Sequence, residues 1–120
     1  MKKWLLIVML LTLTLPARAF HIVGGEIYYD CLGGNNYLIT LKLYRDCYSG
    51  GAEFDNPLSL GIYKADGTLY EELLLPFPGS VQIDPDLTNP CMVNPPDVCV
   101  EEAIYTVEVT LPSNPGGYDV

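Results

Sequence analysis

Residues 21–47, HIVGGEIYYDCLGGNNYLITLKLYRDC, decide the fold of this chain. Two runs rich in tyrosine, isoleucine and leucine are separated by Gly33, Gly34, Asn35 and Asn36, the residue types that most readily adopt positive φ angles. Aromatic and β-branched residues favour strands, and a short loop of this composition favours a tight turn between them. The stretch therefore predicts a long β-hairpin.

The loop length of this hairpin determines its register. A two-residue turn at residues 34–35 would place Ile27 opposite Lys42, an apolar side chain against a charged one. A three-residue loop at residues 34–36, with Asn36 left-handed, changes the faces. It sets apolar residues together, with Ile27, Tyr29 and Cys31 beside Leu43, Leu41 and Ile39. The sequence therefore predicts the three-residue loop.

The mature domain is small, and small exported domains often depend on disulfides for stability. The candidates are four cysteines: Cys31, Cys47, Cys91 and Cys99. Zinc is disfavoured because no C-x-x-C pair is present. In the predicted register Cys31 lies opposite Ile39, roughly 26 Å from Cys47 at about 3.3 Å per residue, and this disfavours a Cys31–Cys47 bridge. Pairing of either cysteine with Cys91 or Cys99 stays open, as does a Cys91–Cys99 bridge.

Residues 1–19 have the features of a cleaved signal peptide. Lys2 and Lys3 precede an apolar run of 12 residues, too short to span a bilayer, and Ala17 and Ala19 provide the small residues that a signal peptidase recognises. We therefore expect export, a mature domain of residues 20–120 and no membrane span after cleavage. Localisation is predicted to be secreted or at the cell surface.

The mature chain is strongly acidic. Without the signal peptide it has 3 basic and 15 acidic residues, a formal charge of −12. Such a charge repels nucleic acid and anionic lipid, so neither is an expected partner. Acidity also keeps an extracellular protein soluble, which is its simplest explanation.

Further strands follow the first hairpin. Residues 57–64 and 68–75 flank Asp66 and Gly67, which predict a second hairpin with a two-residue turn. This turn sets Leu58, Leu60 and Ile62 on the same face as Leu75, Leu73 and Glu71, with the apolar pairs toward the base of the hairpin and the charge at its mouth. Residues 76–97 contain six of the ten prolines and predict a loop with a short strand at residues 81–83.

Residues 98–111 alternate between apolar and mostly polar side chains and predict a long strand. No mature segment has helical periodicity, so the fold class is all-β, an immunoglobulin-like antiparallel β-sandwich. Residues 118–120 follow a Pro-Gly-Gly turn and resemble the beginning of a further strand. We therefore expect the sandwich to be incomplete at its C-terminus and the chain to be part of a longer protein.

Two binding surfaces are candidates in the sequence. Tyr28 and Tyr44 are expected on the outer face of the first hairpin, where exposed tyrosines can stack on sugars or bind a protein. Asp84 and Asp86 begin a segment with oxygen-bearing side chains at alternate positions and are weak calcium candidates. The glycine and the terminal glutamate of an EF-hand are missing from it. No motif predicts another metal or a cofactor.

Two patterns suggest catalysis, and the rest of the sequence disfavours both. The segment Ile22-Val23-Gly24-Gly25 is similar to the activated N-terminus of trypsin-like proteases, but no nucleophile motif follows it. The pairs Glu71-Glu72 and Glu101-Glu102 are adjacent on strands, so their side chains point to opposite faces and cannot flank one bond. We expect these glutamates to be solvated and the protein to have no enzyme activity.

One family resemblance rests on ordered motifs. Residues 21–47 are followed by FDNP, NPC, PPDVCVEEAIYTVEVTLP and PGGY. In this order they resemble the N-terminal region of large secreted surface proteins of gliding Bacteroidota. Proteins of that kind have repeated PKD or immunoglobulin-like modules and a gliding motility-associated C-terminal domain, which directs type IX secretion.

The resemblance implies a non-catalytic structural or adhesive module of a cell surface, connected with gliding or adhesion. Its implied partners are other domains of the same longer chain and a surface glycan or protein. Two other functions fit the same residues. One is a carbohydrate-binding module that uses the two tyrosines, and the other is an accessory domain of a secreted hydrolase.

Overall fold

The computed structural model describes residues 22–48, 51–84, 91 and 97–120, which form two antiparallel sheets and no helix. The strands in chain order are β1 Ile22–Gly33, β2 Asn36–Asp46, β3 Leu58–Lys64, β4 Leu69–Leu75, β5 Val81–Ile83, β6 Val100–Thr110 and β7 Tyr118–Asp119. The four-stranded sheet has the order β1-β2-β6-β5, and the three-stranded sheet has the order β4-β3-β7. The predicted all-β class is confirmed, and the two sheets are consistent with a β-sandwich.

The first hairpin combines the two-residue turn with the predicted apolar face. Gly34 and Asn35 have φ angles of 60° and 66°, so the predicted three-residue loop is wrong. A β-bulge at Leu32 then shifts the register by one residue. Ile27 and Tyr29 consequently pair with Leu41 and Ile39, which keeps the predicted face but moves each partner two residues along β2.

The second hairpin has the predicted pairing and a different turn. Leu58, Leu60 and Ile62 pair with Leu75, Leu73 and Glu71, as the sequence predicts. The loop closes through hydrogen bonds from the Lys64 amide to the Thr68 carbonyl and from the Gly67 amide to the Lys64 carbonyl. Only Gly67 of the predicted two-residue turn has a positive φ angle, which is typical of a three-residue loop with a left-handed glycine.

The central pair of the larger sheet is β2 with β6, which are joined over eleven residue pairs from Asn36–Thr110 to Asp46–Val100. One face of this pair, the inner face, contains Ile39, Ala103 and Tyr105 and packs against the smaller sheet. The opposite, outer face contains the polar positions of β6. The predicted alternation along residues 98–111 is therefore confirmed, with strand bounds of Val100–Thr110.

The core lies over β2 and β6 rather than over the whole larger sheet. Its buried apolar residues are Ile39, Phe54, Leu58, Leu60, Ile62, Leu75, Ala103, Tyr105, Val109 and Leu111. None of them belongs to β1, in which every residue except Gly24 is exposed. The smaller sheet therefore leaves the inner side of β1 open to solvent.

Substitution of matched leucines tests this core. We expect Leu60→Ala to lower the free energy of unfolding by about 2–5 kcal/mol, because it removes buried methyl groups from between the sheets. Leu74→Ala, on the other face of the same hairpin and 63% exposed, is expected to cost at most about 0.5 kcal/mol. Urea denaturation measures both, and equal effects of the two substitutions would contradict the assignment of the faces.

The buried hydroxyl group of Tyr105 should make the free energy of unfolding depend on pH. Its hydroxyl donates a 2.8 Å hydrogen bond to the Asp55 carbonyl, and burial, followed by the charge of Asp55, raises the pKa of this tyrosine. The unfolded chain therefore ionises first, near pH 10, so the contribution of the neutral phenol is present below that pH and is lost above it. Tyr105→Phe should cost about 1 kcal/mol at pH 7 and progressively less above pH 10.

Urea denaturation at pH 7 and pH 10.5 measures this difference between wild type and variant. Tyr63→Phe is the matched control, because Tyr63 is 43% exposed on the outer face of β3. An equal cost of Tyr105→Phe at pH 7 and pH 10.5 would contradict the role of the buried phenol.

Candidate functional site

The predicted tyrosine surface lies on the outer face of the first hairpin, beside an ion pair. Lys42 Nζ lies 3.1 Å from Glu26 Oε1 and 5.7 Å from the centroid of the Tyr28 ring. The hydrogen bond to Glu26 is the main cause that raises the pKa of Lys42. Tyr28 is 42% exposed, so part of its ring is accessible to a ligand next to a cation and a carboxylate.

Tyr44 lies on the predicted outer face but is half-buried rather than exposed. It pairs with Gly24, and a Cβ atom at position 24 would lie 3.8 Å from the Tyr44 ring, an ordinary van der Waals contact. Burial is the main cause that raises the pKa of Tyr44, followed by the charges of Glu26 and Glu102. Gly24 lies four residues from Tyr28 along β1, about 13 Å. The two predicted ligand tyrosines therefore lie at separate positions along the hairpin, on either side of Lys42.

The calcium candidates do not form a site in the described part of the chain. Asp84 is exposed after β5, and Asp86 lies outside the described residues. Among the described residues, no three His, Cys, Asp or Glu side chains are grouped closely enough to hold a metal ion. Calcium binding by Asp84 and Asp86 therefore stays a prediction of the sequence.

A disulfide closes one end of the β2–β6 pair, and Arg45 lies two residues before it in the chain. Cys47 and Cys99 form a disulfide with Cα atoms 5.0 Å apart, one residue beyond the last β2–β6 pair. Cys47 therefore does not pair with Cys31, as predicted. Cys31 and Cys91 are both exposed.

Arg45 is the residue that the sequence analysis missed. It is only 7% exposed, and its guanidinium donates to Glu101 at 2.7 Å and to the Ala52 carbonyl at 2.9 Å. Its charge also lies over the Phe54 ring at 5.5 Å. The available signal was the position of Arg45 on the apolar side of β2, two residues before a cysteine.

The acidic pairs are only partly as predicted. Glu101 points to the inner side and binds Arg45, so the expectation that it is solvated is wrong. The physical reason is its position opposite Arg45, where a half-buried carboxylate gains a charge-assisted hydrogen bond. Glu72, which was also expected to be solvated, is exposed and accepts a 2.6 Å hydrogen bond from Ser59.

Two concave surfaces of the described residues lie along the inner side of β1 and β2, and they are called the inner pockets below. One, of about 410 Å³, is lined by apolar residues such as Tyr29 and Ile39 and by polar residues such as Asn35 and Asn114. The other, of about 420 Å³, is lined by Ile27, Leu41 and Leu43, among others. Sequence reasoning found this apolar face but expected the sandwich to cover it.

Comparison of the chain with protein-family models, with curated proteins and with solved structures finds no match. No helix within the described ranges is long and apolar enough to cross a membrane. The geometry of the described residues is therefore the evidence on function. Two surface features are candidates for binding a partner: the exposed Tyr28 with its ion pair, and the inner pockets.

The two cations of the larger sheet allow a matched test. We expect Arg45→Met to cost at least about 2 kcal/mol, because it leaves Glu101 and a backbone carbonyl without their partner in a half-buried position. Lys42→Met breaks a more exposed pair and is expected to cost clearly less than Arg45→Met. Urea denaturation of both variants measures the difference, and an equal cost would show that Arg45 is not a structural residue.

Proposed function

We propose that the protein is a non-catalytic extracellular module that acts through its surface, in a structural or adhesive role at the cell surface. The observation that carries the proposal is the exposure of large apolar side chains along β1. Ile27 is 44% exposed and Tyr29 is 69% exposed, in the middle of a twelve-residue strand. Contiguous exposed apolar surface is typical of interaction sites.

Two further observations support an extracellular location. The N-terminal sequence has the features of a signal peptide, and a disulfide such as Cys47–Cys99 forms and persists in oxidising compartments. The resemblance to gliding-associated surface proteins supports adhesion as the role and type IX secretion as the export route. We include both in the proposal.

Cell attachment tests the adhesive role. Cells that display the full chain are allowed to attach to a surface, and attached cells are counted after washing. We expect Ile27→Ser with Tyr29→Ser to weaken attachment roughly tenfold, because two apolar anchors are lost. Leu74→Ser, which is as exposed but lies on the other sheet, should leave attachment unchanged. Equal attachment of all three strains would contradict the proposal.

Carbohydrate binding is the second candidate function, and one observation favours it. The exposed Tyr28 ring lies beside Lys42 and Glu26, so a stacking surface and hydrogen-bonding groups are adjacent. A glycan array tests this candidate, with Tyr28→Ala as the variant that should abolish any binding. A role as an accessory domain of a hydrolase stays a prediction of the sequence.

A further inference from the structure

The inner pocket of about 410 Å³ lies where the β1–β2 turn and the loop between β6 and β7 meet, and it is called the turn-end pocket below. Its aromatic and polar lining residues are Tyr29, Asn35, Tyr37, Ser113, Asn114 and Tyr118. Connections at the end of a sheet scaffold are common places for binding sites. The volume lies within the range of about 300–1,000 Å³ that is typical of small-molecule sites.

Three tyrosines give the turn-end pocket its aromatic walls. The rings of Tyr29 and Tyr37 meet edge to face, with centroids 5.9 Å apart and planes at 74°. Tyr37 is half-buried against the core, whereas Tyr29 is 69% exposed. The Tyr118 hydroxyl donates a 2.9 Å hydrogen bond to the Pro112 carbonyl, and its ring contacts Tyr70 edge to face at 5.1 Å. Tyr37 and Tyr118 are therefore held in place, and the Tyr29 ring is the accessible one.

The two connections that frame the pocket are closed by their own hydrogen bonds. The Leu111 amide donates to the Asn35 carbonyl at 2.9 Å, which joins the first turn to the end of β6. The Gly117 amide donates to the Asn114 carbonyl at 3.0 Å, and the Asn114 side-chain amide donates back to the Gly117 carbonyl at 2.9 Å. A ligand would therefore meet a pre-formed pocket and would have less loop ordering to offset.

The turn-end pocket is uncharged in a strongly acidic protein. The chain has 15 acidic residues, but none of the side chains that line this pocket is charged. Within the described ranges, no hydrogen bond uses the side-chain amide of Asn35 or the hydroxyl of Ser113. The pocket thus combines aromatic faces with neutral donors and acceptors, and it has no side-chain charge to balance an ionic ligand.

We propose that the turn-end pocket binds a neutral carbohydrate, whose ring stacks on Tyr29 and whose hydroxyl groups bond to Asn35 and Ser113. A sugar ring has apolar C–H faces and hydroxyl groups at its edge, which matches one open aromatic ring beside uncharged polar groups. The pocket has room for on the order of one or two sugar rings.

This inference rests on the proposed function and names a ligand class through which the module would adhere. It places the carbohydrate on the inner side of β1, whereas the second candidate function places it at Tyr28 on the outer side. The two sites are distinguished by substitution of two neighbouring tyrosines.

A glycan array tests the ligand class. Beads coated with the full chain are applied to neutral glycans (glucans, mannans, xylans and galactans) and to acidic ones (alginate, polygalacturonate and sialylated oligosaccharides). We expect binding to neutral glycans only. The neutral glycan that binds most strongly is then titrated in solution against the isolated chain by NMR, and its Kd should change less than about twofold between roughly 50 and 500 mM NaCl.

Three variants locate the site in the same titration. Tyr29→Ala removes the accessible ring at an exposed position and should raise the Kd roughly tenfold. Asn35→Gly should raise it about fivefold, because glycine keeps the φ angle of 66° and removes only the amide. Tyr28→Ala is the matched control on the opposite face of the same strand, and it should leave the Kd unchanged.

Three results would overturn the proposal. The first is the absence of any neutral glycan that binds, or binding to acidic glycans alone. The second is a Kd that Tyr28→Ala raises and Tyr29→Ala does not, which would move the site to the outer face. The third is binding of a synthetic polyproline peptide, lost with Tyr29→Ala, in place of any neutral glycan, which would assign the pocket to a peptide.

The titration and the attachment assay fail independently. Loss of glycan binding with normal attachment would overturn only the turn-end pocket as a carbohydrate site. Glycan binding by the isolated chain, with equal attachment of all strains, would instead contradict the adhesive role and leave the pocket assignment in place.

Discussion

The pairing of β2 with β6 is the constraint on which the rest of the structure depends. Eleven residue pairs join the two strands, and the Cys47–Cys99 disulfide and the bond from the Cys47 amide to the Cys99 carbonyl extend the ladder by one more. The bridge joins residues 52 positions apart, which in the chain-entropy model stabilises the fold by about 4 kcal/mol. Within this loop β3 and β4 fold back over the inner face. The core therefore forms over the part of this pair that presents apolar side chains to the smaller sheet, which includes Ile39, Ala103 and Tyr105.

Faces could be predicted from the sequence more successfully than turns. The alternation in β6 and the pairing of Leu58 with Leu75 follow from period-two patterning, which any register must satisfy to bury the apolar side. The first turn could not be predicted because two signals conflicted: Gly34 and Asn35 favour a two-residue turn, which by itself sets Ile27 against Lys42. The bulge at Leu32, next to Gly33 with its φ angle of 93°, resolves the conflict, and the residue types of the turn alone do not specify it.

The candidate site was less predictable because it depends on which strands the second sheet covers. Patterning identifies Ile27 and Tyr29 as a face for burial, and only the sheet order shows that the smaller sheet leaves this face open. The burial of Arg45 could not be predicted for a different reason. A charged residue among apolar positions does not indicate which groups it will bind. Its partners come from residues 52–54 and 101, which are distant in sequence or outside strands. The result is a domain with one well-closed end and one open side.

The central claim is that the β2–β6 register brings Cys47 to Cys99. Peptide mapping of the protein produced in an oxidising compartment, digested without reduction and after alkylation of thiols, tests it most directly. The account predicts a linked pair of peptides that contain Cys47 and Cys99, with Cys31 recovered outside that pair. A bridge between Cys31 and Cys47, or between Cys91 and Cys99, would contradict the central strand pair.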